Sequence, residues 1–341
     1  MPTSSLPVGK LPPELLSRLL ATATVSDPDV IVGPGVGLDC AVVSVGDHYL
    51  VFKSDPVTFV TDNLGWYLVH VNANDLATSG ATPRWMLVTL LLPEGSTDDS
   101  SILQISDQIN RACLDLDISV VGGHTEVTYG LGRVLALGTM IGVVAPERLV
   151  TPRGVQPGDK IIVTKGVPIE ATAILAREFE AELRGHLTDD ELSRAANFLF
   201  DPGISVVRDA QVALSAGRVH AMHDATEGGL AAALWEMAEA SQKTLVVDRD
   251  AVPVPALSAQ LCAHFGFDPL DAIASGALVL AVAEQDAKSV VTALRRSRIE
   301  AAVIGTAREG PVEVWQQPRG QKPLQRPQRD AVARLFEGVA G

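Results

Sequence analysis

The chain has 341 residues, 47% of them hydrophobic and 20% charged, enough for about two globular domains and too apolar for a disordered chain. Acidic residues outnumber basic ones 41 to 27, a net charge of −14, which repels phosphate backbones and anionic membranes and excludes nucleic acid as a general partner. No apolar run is long enough to span a membrane, residues 1–12 lack the core of a secretory leader, and Cys40, Cys113 and Cys262 form no CxxC pair; the expectation is a cytoplasmic protein without disulfides or thiolate zinc.

A proline start and leucines at one-turn spacing predict a helix over 12–23. Two apolar runs, 41–45 and 49–53, flank Gly46-Asp47-His48 and read as a β-hairpin. A helix over 65–79 and a strand over 85–92 follow, then a helix over 98–116 with Ile102, Ile105, Ile109 and Cys113 on one face. Strands over 118–121 and 134–144 flank a glycine-rich segment. Proline and glycine concentrate in APERLVTPRGVQPG (145–158), a domain boundary. Beyond it the pattern predicts strands at 160–164, 218–222, 245–247, 277–283 and 299–304. Helices are expected near 169–183, 189–200, 204–216, 229–241 and 286–295. A polar, proline-rich linker then leads to a short helix over 330–336. Strands and helices mix without a regular βαβ repeat, so the fold class is α+β in two domains. The expected divisions are 1–152, 153–315 and a tail, 316–341.

Gly33-Pro34-Gly35-Val36-Gly37 follows an apolar run, but Leu38 stands at the sixth position of a dinucleotide fingerprint and a hairpin follows instead of a helix. Gly35 and Gly37 can still bring backbone amides near a phosphate, or form a plain turn. Asp39, Asp55 and Asp75 each sit at or near the end of an apolar element, where carboxylates can share Mg2+ and offset the charge of a nucleotide; singly, each also reads as a cap or turn residue. Asn72 and Asn74 are costly to bury without partners and suggest polar ligands, unless their face is exposed. His124, in Gly122-Gly123-His124-Thr125-Glu126, reads as metal ligand, general base, hydrogen-bond donor or a structural histidine. Asp224 or Thr226 can cap a helix that starts after Gly228, and its free amides form an anion site. Lys165, between a strand and a helix, is a cation for phosphate or a solvated side chain.

These motifs together resemble the AIR synthase (PurM-like) superfamily, and within it the HypE-like and AIR synthase-related proteins. GVGLDCAVV (35–43) is similar to its GDDAAV segment, KSDPVTF (53–59) to TTD, and VNANDLATSGATP (71–83) to VNDLAMMGAKP. GGHTEV (122–127) resembles GGDT or GGET, and HDATEGGLAAALWEMAEAS (223–241) the DPTEGGLA helix start. ASGALVLAV (274–282) and AAVIGTA (301–307) match late strands.

The resemblance implies ATP and Mg2+ in a cleft between an N-terminal domain and a C-terminal α/β sandwich. It implies a homodimer whose N-domain strands form a shared barrel, and γ-phosphate transfer to, or activation of, an oxygen-bearing small metabolite. Carried over, Asp39, Asp55 and Asp75 become metal residues, and Asp75 and His124 catalytic ones. Gly35, Gly37, Asn72, Asn74, Gly122, Gly123, Thr125, Lys165, Asp224, Thr226 and Gly228 line the nucleotide site. Leu38 and His124 stand where the family carries acids, so a non-catalytic nucleotide-binding paralogue or a maturation or scaffold factor is the alternative. The given chain ends in Phe336-Glu337-Gly338-Val339-Ala340-Gly341, and the carbamoyl chemistry of a terminal cysteine is therefore not expected of it.

Overall fold

The protein, seen in a computed structural model, is described over residues 11–57, 62–317 and 322–337. The leader reading of residues 1–10, Thr58 and Phe59 of KSDPVTF, and the middle and end of the tail lie outside that description. In chain order the first half contains α1 (Pro13–Leu20), β1 (Val30–Val32), β2 (Ala41–Val45), β3 (His48–Val57), α2 (Leu64–Thr78), β4 (Thr82–Pro93), α3 (Asp99–Asp115), β5 (Ser119–Thr128) and β6 (Leu135–Val144). The second half begins with β7 (Lys160–Thr164), α4 (Ile169–Glu178), α5 (Glu180–Leu183), α6 (Asp189–Ala196), α7 (Val207–Ala216), β8 (Val219–Asp224), α8 (Gly229–Ser241) and β9 (Thr244–Asp248). It continues with α9 (Ala256–His264), β10 (Leu278–Val282), α10 (Ala287–Arg296), β11 (Ala301–Arg308), β12 (Glu313–Gln317), β13 (Lys322–Pro323) and α11 (Ala331–Glu337).

Two sheets organise these elements, as an α+β class requires. The first has the order β1-β2-β3-β6-β4-β5, with α2 packed on β3 and β6 and α3 packed on α2. Alternation sets its faces: Lys53 and Asp55 of β3 register with Met140 and Gly138 of β6 on the α2 side, whereas Phe52 and Pro56 register with Ile141 and Leu137 on the side away from α2. The second sheet has the order β13-β12-β9-β11-β7-β10-β8. Strands β7 and β10 are almost wholly apolar because both of their faces are buried. Ile161, Val163, Val279 and Ala281 share a core with α8, and Ile162, Leu278, Leu280 and Val282 join the core that continues through α4, α7 and α10 to the first sheet. Helix α2 also packs against α7 and β8, which brings the two sheets together at its C-terminal half.

Two expectations are corrected, and one helix has no counterpart in the sequence reading. The glycine-rich GGHTEV segment is not a loop: β5 runs through it, paired in parallel with β4. Gly123 permits this, since a Cβ there would lie 1.7 Å from the Val88 carbonyl oxygen. Helix α9 has almost no amphipathic periodicity to announce it, because Leu257, Ser258, Leu261 and Cys262 are buried around more than one face. The tail is not a free linker. β12 adds in parallel to β9, the Trp235 indole N–H donates to Leu324 O at 2.9 Å, and Arg326 pairs with Glu239 at 2.5 Å. Among the described residues no helix is long and apolar enough to cross a membrane.

Candidate active site

Helix α2 is buried on nearly every side, so its polar residues face protein. Asp75 points toward β3, where the Lys53 ammonium lies 2.9 Å from its Oδ2 and 3.3 Å from Asp55 Oδ2. Burial disfavours the charged amine, yet Asp75, Asp55 and Asp39 outweigh it and hold Lys53 well above its ordinary pKa. Burial pushes the Asp75 carboxyl up; Lys53 opposes this, and Asp224, Asp39 and Asp55 add to it.

The loop before β2 supplies Asp39. Gly37 turns there with φ +73° and lies against the Glu236 carbonyl of α8, at 3.7 Å from the place of a Cβ. The Cys40 thiol donates to Asp75 O at 3.2 Å and ties the loop to α2. Burial first, then Asp75 and Asp39, raise the Cys40 pKa well above normal, which keeps the thiol protonated and unsuited to attack. Opposite Asp39, β8 ends in His223 and Asp224. Ligand atoms of Asp39, His223 and Asp224 all lie within 4.8 Å of one another. His223 Nε2 is 2.9 Å from Glu236 Oε2, and its Nδ1 is 3.6 Å from Asp39 and 3.8 Å from Asp224. Burial opposes a charge on His223, but Asp39, Asp224 and Glu236 outweigh it and raise its pKa well above the usual value.

Two cationic side chains, Lys53 and His223, thus stand among five carboxylates. Asp224 is 1% exposed, and both its oxygens, like Asp39 Oδ2 and Asp75 Oδ2, make no hydrogen bond. Lys53 pairs with Asp75 Oδ2 at 2.9 Å, whereas His223 Nδ1 stays 3.6 Å from Asp39 Oδ2 and 3.8 Å from Asp224 Oδ1. Buried anionic oxygens without donors need a counter-charge. Hard oxygen donors from two carboxylates suit Mg2+, so Asp39 and Asp224 fit the expected ion. Asp55 and Asp75 do not fit one in the same way, because the Lys53 ammonium already lies between them.

Several expected ligands serve the backbone instead. Asn72 accepts from Asp55 N at 3.0 Å and donates to Asp55 O and Leu68 O, fixing β3 beside α2. Asn74 donates to Ile204 O and accepts from Val206 N, both at 2.8 Å. Both asparagines are fully buried. Lys165 is neither solvated nor free for phosphate: it donates to Gly203 O and Ser205 O and pairs with Asp209 at 3.4 Å. The Gly228 N–H donates to Asp330 Oδ2 at 2.7 Å, so a carboxylate of the chain takes the amide expected to meet an anion. Thr226 O accepts from Gly229 N at 2.9 Å within the same turn. Gly35 abuts Leu38 and lies near the Arg153 guanidinium.

His124 does not join Asp75 within one chain. It registers with Thr89, which registers with Leu137 and so with Pro56. That row lies on the sheet face opposite Asp55, and three interstrand steps separate it from β3, about 14 Å. His124 is exposed and 3.1 Å from Glu126. Gly122 and Thr125 share the exposed edge strand.

The sequence reading missed Lys53 as a participant, although the alternation Val51, Lys53, Asp55, Val57 marks it as inward-facing. It also missed the pairing of His223 with Glu236, which no local spacing announces, and Asp330.

The profile described as AIR synthase related protein, N-terminal domain, matches residues 37–144, and its C-terminal counterpart matches 156–316. A protein of Methanocaldococcus jannaschii named for hydrogenase expression and formation is 30% identical over 291 residues, 81% of this chain and 82% of the relative. The carbamoyl dehydratase HypE of Rhodobacter capsulatus is 32% identical over 267 residues, 76% of this chain and 74% of the relative. A crystal structure of the hydrogenase maturation protein HypE in complex with ATP superposes with TM-score 0.70 at 23% identity, over 93% of this chain and 91% of that one. The paired sheets, the order of the motifs and these matches agree: the chain belongs to the AIR synthase related protein family and has its PurM-like α+β fold.

Proposed function

We propose that the protein is an ATP-dependent enzyme that transfers the γ-phosphate to, or uses it to activate, an oxygen-bearing small metabolite. The observation that carries this reading is the pair of carboxylates, Asp39 and Asp224, whose buried oxygens lack hydrogen bonds at the junction of the two sheets. They would hold Mg2+, which supplies charge neutralisation for phosphates that the −14 chain otherwise repels. Relatives support the nucleotide: HypE proteins are carbamoyl dehydratases, and one was crystallised with ATP.

Such chemistry depends on positioning and electrostatics more than on a protein nucleophile, consistent with a Cys40 thiol held protonated. Asn72 and Cys40 position β3 and the Asp39 loop against α2. Glu236 orients the His223 ring through Nε2, and Lys53 adds a fixed positive charge beside Asp75. The reading includes a homodimer joined along β5, an edge strand whose Val120, Val121 and Val127 are exposed. Unpaired edges of this kind are natural sites of strand pairing.

Calorimetric titration with a non-hydrolysable ATP analogue, with and without Mg2+, tests the reading. Mg2+-dependent binding that weakens at least tenfold in Asp224→Asn is the expected result, with ADP release in the presence of a suitable acceptor. Absence of Mg2+-dependent binding overturns it. A nucleotide-binding scaffold without turnover is the second reading, favoured by Leu38 and by Asp330 on the Gly228 amide; Mg2+-dependent binding with no ADP release from any acceptor selects it.

A further inference from the structure

Lys53 occupies the place where Asp75, a carboxylate buried on α2, needs a counter-charge. Asp75 is 3% exposed and belongs to a helix buried on nearly all sides. Without a cation beside it, the anion would be uncompensated. The ammonium reaches it from β3 at 2.9 Å and spans to Asp55 at 3.3 Å. In the TTD segment that KSDPVTF resembles, this position is a threonine. An octahedral Mg2+ needs oxygens at about 2.0–2.1 Å, and it cannot share the space between Asp55 and Asp75 with that ammonium. The other half of the cluster is arranged differently. There the His223 ring is drawn to Glu236 through Nε2 at 2.9 Å, and Asp224 keeps both oxygens free of hydrogen bonds.

We propose that Lys53 is a tethered replacement for a divalent cation: it fills the Asp55–Asp75 half of the cluster and confines metal binding to Asp39 and Asp224, one ion per chain. The second clause rests on the function proposed above; the first stands on the Lys53 geometry alone. A lysine is a singly charged donor that cannot dissociate or bridge phosphates as a metal does. The protein therefore keeps part of its cluster neutralised when no metal is bound. Removing the lysine turns the same carboxylates into an oxygen-rich site for a hard cation.

The test counts Mn2+ bound to the full chain, with metal alone, by the loss of the free-ion electron paramagnetic resonance signal. One ion per chain is expected for the wild type, two for Lys53→Thr, none for Asp224→Asn and one for the double variant. Two or more ions on the wild type overturn the proposal, and so does a folded Lys53→Thr that binds no more than the wild type. If the wild type binds none while Lys53→Thr gains one, the replacement by Lys53 stands and the Asp39–Asp224 metal reading fails. Should Lys53→Thr fold poorly, its melting temperature decides. Mg2+ is expected to raise it more than in the wild type, and equal shifts overturn the proposal.

Discussion

Asp330, near the C-terminal end of the described chain, accepts a hydrogen bond from Gly228 N at 2.7 Å, 102 residues away in sequence. Its other oxygen accepts from Val332 N at 2.8 Å, so one carboxylate starts α11 and satisfies the turn before α8. Removing it strands the buried Gly228 N–H and the first amides of α11. Asp330→Ala is expected to cost about 1–2 kcal/mol, and Asp330→Asn, which keeps an acceptor, less than half of that. Urea unfolding checks both. An Asp330→Ala midpoint equal to the wild type removes the anchoring role.

Glu170 gives the clearest pH signature. It is 4% exposed, accepts from Ser275 N at 3.3 Å, and burial lifts its pKa from 4.5 to about 7. Between those values the folded state binds more protons than the unfolded one. Its contribution is therefore fully present below pH 4.5 and is lost as pH rises through 7. At roughly 1.4 kcal/mol per unit, the loss is on the order of 3 kcal/mol. Glu170→Gln keeps the acceptor and removes the charge. The variant is expected to match the wild type near pH 4 and exceed it at pH 8, when both are measured by urea denaturation. Parallel pH profiles would contradict this.

How much of this was legible in the sequence depends on range. The helix of α3 follows from local periodicity and the strands β7 and β10 from apolar runs of strand length. Asp39, Asp55 and Asp75 stand out because acids beside apolar residues are unusual. What Asn72, Asn74 and Lys165 do was not legible, because each is satisfied by backbone atoms of another segment; Asn74, for instance, reaches across 130 residues to Ile204. A buried polar residue looks the same in sequence whether it meets a ligand or a carbonyl. His124 shows the same limit in another form. A one-residue step along a strand reverses its face, and only the register through Thr89 and Leu137 shows which face it takes.

The edge strand β5 bears on assembly. Val121 is 55% exposed and Val127 59%, on a strand whose outer hydrogen-bonding edge is unpaired among the described residues. The double variant Val121→Asp/Val127→Asp places two charges on that edge. On the proposed homodimer, the wild type is expected to sediment as a dimer and this variant as a monomer, with little change in thermal stability of the monomer. Sedimentation equilibrium over a concentration series reads this directly, and an unchanged dimer would place the interface elsewhere.

Asn74 couples the two sheets. It extends from α2, which packs on the first sheet, and clamps Ile204 O and Val206 N in the segment that leads into α7. Asn74→Ala leaves both backbone groups buried without partners, at about 1–3 kcal/mol each. Asn74→Asp keeps the acceptor for Val206 N but sets a carboxylate oxygen against the Ile204 carbonyl. In an already acidic interior it is expected to cost as much or more. Both variants are expected to unfold at lower urea, and amide exchange at Val206 is expected to accelerate by more than exchange in β7 and β10. Uniform acceleration across the second sheet would show that Asn74 supports global stability and not the junction, and unchanged exchange at Val206 would remove the clamp altogether.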